Sequence, residues 1–190
     1  MYHYEYVAKK EAEPYRHQIE EIVHKVQDIV RDKFTFHYTF IGSSARNMIT
    51  YDPKTKMGFD FDINFYPNDD DNIYPPDQLK QILINAINHV APKYGFKYCE
   101  DSPRVITVKK LNPWTGAVTF CFDIAIVHNY DDPNKKLRQE YIRINKKQGS
   151  YSWEDQPNGY HHLKKKIAWI KSQKYNLWNE VLDLYLGKKT

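Results

Sequence analysis

Seven consecutive residues constrain this chain more than any others. Phe59-Asp60-Phe61-Asp62-Ile63-Asn64-Phe65 alternates apolar and polar side chains without a miss, the pattern of a strand with one buried and one open face. Successive strand side chains point to opposite faces, so Asp60 and Asp62 stand side by side while the apolar residues pack behind them. Asp is depleted in strands, and two neighbouring carboxylates repel unless a proton or cation sits between them. A hard divalent ion such as Mg²⁺, held through carboxylate oxygens, relieves that repulsion. The bland alternative is a strand whose solvent side is simply polar.

A third carboxylate sharpens the choice. Asp123 stands alone in Val118-Thr119-Phe120-Cys121-Phe122-Asp123-Ile124-Ala125-Ile126-Val127, where a buried charge is expensive unless it is paired or metal-bound. If this strand lies beside the first, three carboxylates converge and can hold two metal ions for an in-line displacement at phosphorus. The competing reading pairs Asp123 with Arg104 or Lys109. Upstream, Ile41-Gly42-Ser43-Ser44-Ala45-Arg46-Asn47 places a Gly-Ser turn after a strand, where close backbone approach and free amides suit an anion.

The rest of the chain frames these elements. Pro14 to Lys33 reads as a helix with Tyr15, Ile19, Ile22, Val23, Val26, Ile29 and Val30 on one stripe, Pro14 suiting its first turn. Phe34–Ile41 reads as a strand, and Ser44–Ile49 as one or two helical turns. Asp77 is a candidate N-cap for a helix carrying Leu79, Ile82, Leu83, Ala86, Ile87 and Val90. Arg104–Lys110 and Ala117–Val127 read as strands joined by the turn Asn112–Gly116. Helices are expected near 134–147, 160–173 and 176–186, broken by an irregular stretch at Gly149–Gly159. The fold class is therefore α/β or α+β with a mixed sheet. Its expected division is a core at 1–131 and a basic helical segment at 132–190 packed on it.

Charge follows that division. Residues 1–131 carry 15 Lys/Arg against 18 Asp/Glu, and residues 132–190 carry 13 against 6. An acidic front facing a basic tail suits a metal–phosphate ligand, although uneven solvated charge reads the same way. The 190 residues suffice for one buried core. No apolar run is long enough to cross a membrane, and the start of the chain lacks the basic-then-apolar order of a signal peptide. Cys99 and Cys121 are the only cysteines and make neither a disulfide framework nor a zinc cluster, so a cytoplasmic protein is expected.

Together, Ile41-Gly42-Ser43, Asp60-Phe61-Asp62-Ile63 and Asp123 resemble the hallmark of the DNA polymerase β-like nucleotidyltransferase superfamily. Gly42-Ser43-Ser44-Ala45-Arg46 is similar to the start of the minimal nucleotidyltransferases. The resemblance covers about residues 34–127. It departs from the minimal pattern at Asn47, where Gly is usual, and in the longer loop Tyr51–Gly58, which carries Lys54 and Lys56.

The resemblance implies a palm-like sheet flanked by helices. It further implies that Gly42 and Ser43, with Ser44, hold the phosphates of a nucleoside triphosphate, ATP by default. Asp60, Asp62 and Asp123 would be the catalytic residues and the ligands of two Mg²⁺ ions, with Mn²⁺ an alternative. A nucleoside monophosphate would pass to an acceptor hydroxyl with release of pyrophosphate. Arg46 would meet a phosphate or pair with a carboxylate on the surface. In the run Lys164-Lys165-Lys166, Lys165 would reach the triphosphate or lie on a solvated face. Tyr151, Trp153 and Tyr160 would stack on a base or pin a loop to the core. The acceptor would belong to a small molecule, a tRNA, a protein or a second nucleotide, and a homo-oligomer would close the open cleft. The main alternative is a catalytically silent relative that binds nucleotide or nucleic acid. A two-metal nuclease is a further one, which the Gly-Ser turn disfavours.

Overall fold

The computed structural model describes residues 5–51, 54, 59–69 and 73–156. The chain divides into the units His3–Gln156 and Pro157–Thr190, and the second lies outside the described residues. So do the helices expected near 160–173 and 176–186, together with Tyr160 and Lys165.

The first unit begins with a two-residue strand β1 (Glu5–Tyr6), followed by helix α1 (Lys9–Val30), strand β2 (Thr35–Ile41) and a single 3-10 turn at Ser44–Arg46. Strand β3 (Thr50–Tyr51) pairs with β1 in a small sheet of its own. Strand β4 (Asp60–Asn68) and helix α2 (Pro76–Val90) follow, then β5 (Glu100–Asp101), β6 (Ile106–Leu111), β7 (Val118–Asp131), β8 (Leu137–Asn145) and β9 (Ser150–Asp155). The main sheet runs β2-β4-β7-β6-β5, and the far end of β7 continues into β8 and β9. Only β4 and β7 pair in parallel; the other neighbours in this sheet are antiparallel. A parallel pair needs a long crossover, and here α2 lies within it. The fold is thus α+β with a mixed sheet, the class the residue patterns require.

Both helices supply apolar stripes to one core. Ile19, Ile22, Val23, Val26 and Val30 of α1 are buried, as are Leu79, Leu83, Ile87 and Val90 of α2. They share the core with Phe61, Ile63 and Phe65 of β4 and Phe120, Phe122, Ile124 and Ile126 of β7. α1 starts five residues earlier than Pro14, because Glu11 Oε2 accepts from the Ala8 amide at 3.3 Å and secures an upstream first turn. Pro14 is tolerated inside the helix at the loss of one backbone bond. Tyr15 and Ile29, expected on the buried stripe, are 37% and 44% exposed. Among the described residues no helix is long and apolar enough to cross a membrane.

The expected helix over 134–147 is instead strand β8, and the stretch expected to be irregular contains strand β9. The physical reason lies in two polar turns. Asp132 Oδ1 accepts from the amides of Asn134 and Lys136 at 2.9 and 3.0 Å, and Lys135 is left-handed at φ 58°. Asn145 Oδ1 accepts from the Lys147 amide at 3.1 Å, and Gly149 turns at φ 66°. Side-chain acceptors of this kind compete with helix hydrogen bonds and close hairpins. Tyr151 and Trp153, both half-buried, pack against the core from β9.

One buried ion pair locks this hairpin to the rest. Lys80, 1% exposed, places Nζ 2.6 Å from Asp101 Oδ1 and donates to the Ser102 carbonyl at 2.9 Å. Tyr151 Oη donates to Asp101 Oδ2 at 2.6 Å, a bond that pushes the phenol up to about 12. α2, β5 and β9 therefore meet at one carboxylate. Removing one partner of such a pair strands the other charge, at a cost of about 3 kcal/mol or more. Lys80→Met is expected to lower stability by about that amount in urea unfolding, whereas a change within about 0.5 kcal/mol would show that the pair contributes nothing.

Candidate active site

The parallel pairing of β4 with β7 sets Asp62 directly beside Asp123, and Asp60 beside Cys121. All four occupy the sheet face opposite the core, because their chain neighbours Phe61, Ile63, Phe122 and Ile124 point into it. Directly opposed side chains on neighbouring strands stand within reach of each other. The structure thus brings the three candidate carboxylates to adjacent positions on one open face. Asn64, on the same face and 4% exposed, donates to Tyr66 Oη at 3.1 Å.

The Gly-Ser turn sits over this face from the end of β2, where Ile41 pairs with Asp62. Gly42 is left-handed at φ +62°, and a Cβ there would lie 2.6 Å from Asp62 Oδ2. Glycine is required twice over, for the backbone conformation and for the room the carboxylate occupies. Ser44, 2% exposed, donates to the Ile41 carbonyl at 2.8 Å and approaches the Asp62 carbonyl at 3.4 Å. Its hydroxyl staples the turn to β2 and β4. Ser43 is half-buried, while Arg46 is exposed. Asn47 takes a left-handed conformation at φ 52°, which explains how it fills a position where glycine is usual.

Burial raises the pKa of Asp123, opposed by the Thr107 hydroxyl as a side-chain hydrogen-bond partner and by the Lys109 charge. Its Oδ1 is buried and has no hydrogen-bond partner among the described residues. Neither basic residue expected to pair with it does so. Lys109 Nζ is 2.7 Å from both carboxylate oxygens of Glu100, and the Arg104 guanidinium lies 5.6 Å from the centre of the Tyr141 ring. Cys121, wedged between the acidic groups, is pushed up to about 12, first by burial and then by Asp60 and Asp123. It stays a thiol.

Among the described residues, no three His, Cys, Asp or Glu side chains are drawn into a ready metal cluster. The donor set still fits a hard divalent ion, since it consists of carboxylate oxygens. One of those oxygens, Asp123 Oδ1, is buried and unpartnered. An orphaned buried anion is the kind of group that a bound cation satisfies.

Thr107, with the Ser102 hydroxyl just past β5 at 3.2 Å from its own, lies on the same face as Lys109 of β6 and Glu100 of β5. Sequence reading missed the first two and Glu100, and weighed Lys109 only as a partner for Asp123. The signal that could have found them is the alternation Ile106-Thr107-Val108-Lys109, which puts Thr107 and Lys109 together on the open side.

No family model and no curated protein matches the chain. Solved structures do. The CD-NTase CdnG of Bradyrhizobium diazoefficiens, in complex with GTP, superposes with a TM-score of 0.51 and 15% identity over 84% of this chain and 41% of that one. Vibrio cholerae DncV cyclic AMP-GMP synthase, in complex with a linear intermediate, gives 0.53 and 13% identity over 87% and 56%. A second structure of DncV, described as a prokaryotic cGAS homolog, gives 0.51 and 11% over 88% and 55%.

The chain has the nucleotidyltransferase fold. It spans about half the length of these neighbours, 41% to 56% of each. Within that fold, the open face with its carboxylates and Gly-Ser turn is the candidate active site.

The raised pKa of Asp123 has a consequence for stability. In the pH range between the ordinary carboxylate value and the raised one, the folded protein holds a proton that the unfolded chain has lost. Stability therefore falls as pH rises through that range, and above the ordinary carboxylate value the acid is a net liability to the fold. Asp123→Asn is expected to raise the melting temperature of the metal-free protein at pH 7 and to flatten this part of its pH dependence. A lower melting temperature at pH 7 would show that the carboxylate stabilises the fold.

Proposed function

We propose that the protein is a Mg²⁺-dependent nucleotidyltransferase. It would transfer a nucleoside monophosphate from a nucleoside triphosphate to an acceptor hydroxyl and release pyrophosphate. One observation carries this reading: Asp62 and Asp123 in register on adjacent parallel strands, with Asp60 one pleat away and the Gly42 turn against the Asp62 carboxylate. Asp60, Asp62 and Asp123 would hold the ions, Mg²⁺ or Mn²⁺. Bound there, a divalent ion supplies charge neutralisation at the attacking and leaving oxygens.

The chain's own residues account for the remaining requirements. Gly42 lets the backbone come close to the phosphates, and Ser43 offers its amide and hydroxyl beside it. Ser44 keeps the turn in place through its bond to Ile41. Asp123 is suited to take the acceptor's proton, because burial raises its affinity for one. The acceptor oxygen then bonds to the α-phosphorus, the bond from that phosphorus to the bridging oxygen breaks, and pyrophosphate leaves. Arg46 and Lys165 remain proposed phosphate contacts.

ATP stands as the default donor, with GTP beside it because CdnG was captured with GTP. The acceptor hydroxyl would belong to a small molecule, a tRNA, a protein or a second nucleotide; the linear intermediate in DncV supports the last. A homo-oligomer would cover the open face. We further propose a cytoplasmic location for the protein.

A second reading has an observation of its own. Because the carboxylates are not drawn into a ready metal cluster among the described residues, a catalytically silent nucleotide-binding relative is the alternative. Calorimetry with each nucleoside triphosphate and Mg²⁺, paired with a pyrophosphate-release assay, separates the two. The proposal expects metal-dependent binding of one donor and pyrophosphate release, both lost in Asp60→Ala/Asp62→Ala. Binding without release across acceptor classes supports the silent relative. No binding by folded wild-type protein contradicts both.

A further inference from the structure

An aromatic cleft lies at the end of the sheet where β4 begins. It measures about 670 Å³, and its walls include Tyr15 of α1, Tyr51 of β3 and Phe59, the residue immediately before Asp60. That volume suits a compact small molecule. Tyr15 meets the Phe59 ring edge-on at 4.7 Å and the Phe120 ring at 4.7 Å, so one wall is a fixed aromatic cluster. The cleft also accounts for the 37% exposure of Tyr15, which its place on an apolar stripe does not explain.

Thr119 of β7 and Asn112, just past β6, line the same cleft. The pairing jumps there from Lys110 with Phe120 to Leu111 with Val118, which leaves Thr119 without a partner residue on β6. An extra residue of this kind is a β-bulge, which re-aims a side chain and is common beside active sites. Thr119 donates its hydroxyl proton to the Lys110 carbonyl at 2.9 Å, and its oxygen is left to accept. Asn112 Oδ1 accepts from the amides of Trp114 and Thr115 at 2.8 and 3.1 Å, which fixes that residue. Among the described residues, Glu11 is the only charged side chain that lines the cleft. The cleft therefore offers aromatic walls, hydrogen-bond acceptors and one negative charge.

We propose that this cleft holds the body of the acceptor, and that the acceptor is a small molecule with an uncharged or cationic ring and amine or hydroxyl donors. The role as acceptor site rests on the transferase reading; the ring site itself does not. Two features support it. Phe59 and Asp60 are consecutive, about 3.8 Å apart at their Cα atoms, and the Phe59 carbonyl accepts from the Cys121 amide at 3.2 Å, beside Asp60. In the order β2-β4-β7-β6, the Gly42 turn approaches β4 from β2, whereas Thr119 and Asn112 belong to the opposite side of β4. The attacking and leaving oxygens lie roughly in line across the phosphorus. With the phosphates against Gly42, the acceptor enters from the β7 side. Its oxygen bonds to the α-phosphorus as the bond to pyrophosphate breaks, and its proton passes to Asp123. A tRNA or a second nucleotide would bring phosphates toward Glu11 with no lysine or arginine among the described lining residues to offset them.

Two probes test the cleft by NMR titration without nucleotide: tyramine, a phenol ring with an ammonium tail, and phloretate, the same ring with a carboxylate tail. The proteins are wild type, Glu11→Gln, which keeps an acceptor for the Ala8 amide and removes the charge, and Thr119→Phe, which places a ring in the cleft from an exposed position. The same spectra report that each variant is folded. Tyramine is expected to bind wild type in the millimolar range of a fragment its size, at least about tenfold tighter than phloretate, with shifts at Phe59 and Thr119. The preference should shrink to within about threefold in Glu11→Gln, and Thr119→Phe should lose both probes. No saturation by tyramine up to about 20 mM, equal affinity for the two probes, or binding untouched in Thr119→Phe overturns the proposal. In the pyrophosphate-release assay, hydroxylated ring amines should stimulate release; stimulation by phosphate-bearing acceptors alone, or by none, overturns the acceptor role. Calorimetry with donor and Mg²⁺ separates these failures from that of the transferase reading. Thr119→Phe should bind the donor within about twofold of wild type, and loss of donor binding there would assign the cleft to the donor's base and overturn the acceptor role. No donor binding by wild type alongside intact tyramine binding defeats the transferase reading, and the acceptor role falls with it while the ring site stands.

Discussion

Everything distinctive about this molecule depends on one parallel strand pair. β4 and β7 could slide past each other by one residue only by turning Phe61, Ile63 and Phe65, or their β7 counterparts, out of the core. The hydrophobic effect on one face therefore fixes the position of charges on the other. Asp62 and Asp123 are held together although they repel, because the register that separates them would expose several aromatic and branched side chains. The fold stores an electrostatic demand that, in the proposed reading, a divalent cation would answer.

The surrounding elements serve that pair. α2 lies in the crossover that allows parallel pairing, and with α1 it covers the apolar face, leaving the acidic face open among the described residues. The turn after β2 crosses the carboxylates closely enough that only glycine fits beside Asp62. On the other side, Lys80, Asp101 and Tyr151 tie α2, β5 and β9 at one point. That knot holds Ser102, whose hydroxyl lies 3.2 Å from that of Thr107, the residue in register with Asp123. Stability and chemistry meet there, since the same buried lysine that secures the hairpin also fixes the backbone behind the site.

The strand carrying Asp60 and Asp62 was legible because its alternation is complete and its polar residues are ones a strand normally avoids. Asp123 was legible for the opposite reason, as a lone charge in an apolar run. What could not be read was the pairing between these strands, which depends on contacts more than fifty residues apart. The spacing of Leu137, Tyr141 and Ile144 suits a helix, so β8 reads as one, while β9 reads as an irregular stretch. The turn chemistry of Asp132 and Asn145 outweighs that spacing by capturing backbone amides. Ser44 looked like a phosphate ligand from its place after Gly-Ser, yet its hydroxyl faces inward to Ile41, a direction that spacing does not encode. Lys80 lay unremarked on a helix face where a lysine is ordinarily solvated.

The central claim is that Asp60, Asp62 and Asp123 form one site for a divalent ion with a nucleotide. Its most direct test is a crystal structure of the wild-type protein with Mn²⁺ and a non-hydrolysable nucleoside triphosphate, read at the manganese absorption edge. The account expects anomalous density between Asp62 and Asp123, with the phosphates lying against the Gly42–Ser43 turn. Nucleotide bound elsewhere on the molecule, or manganese absent from the three aspartates while bound at another site, would contradict it.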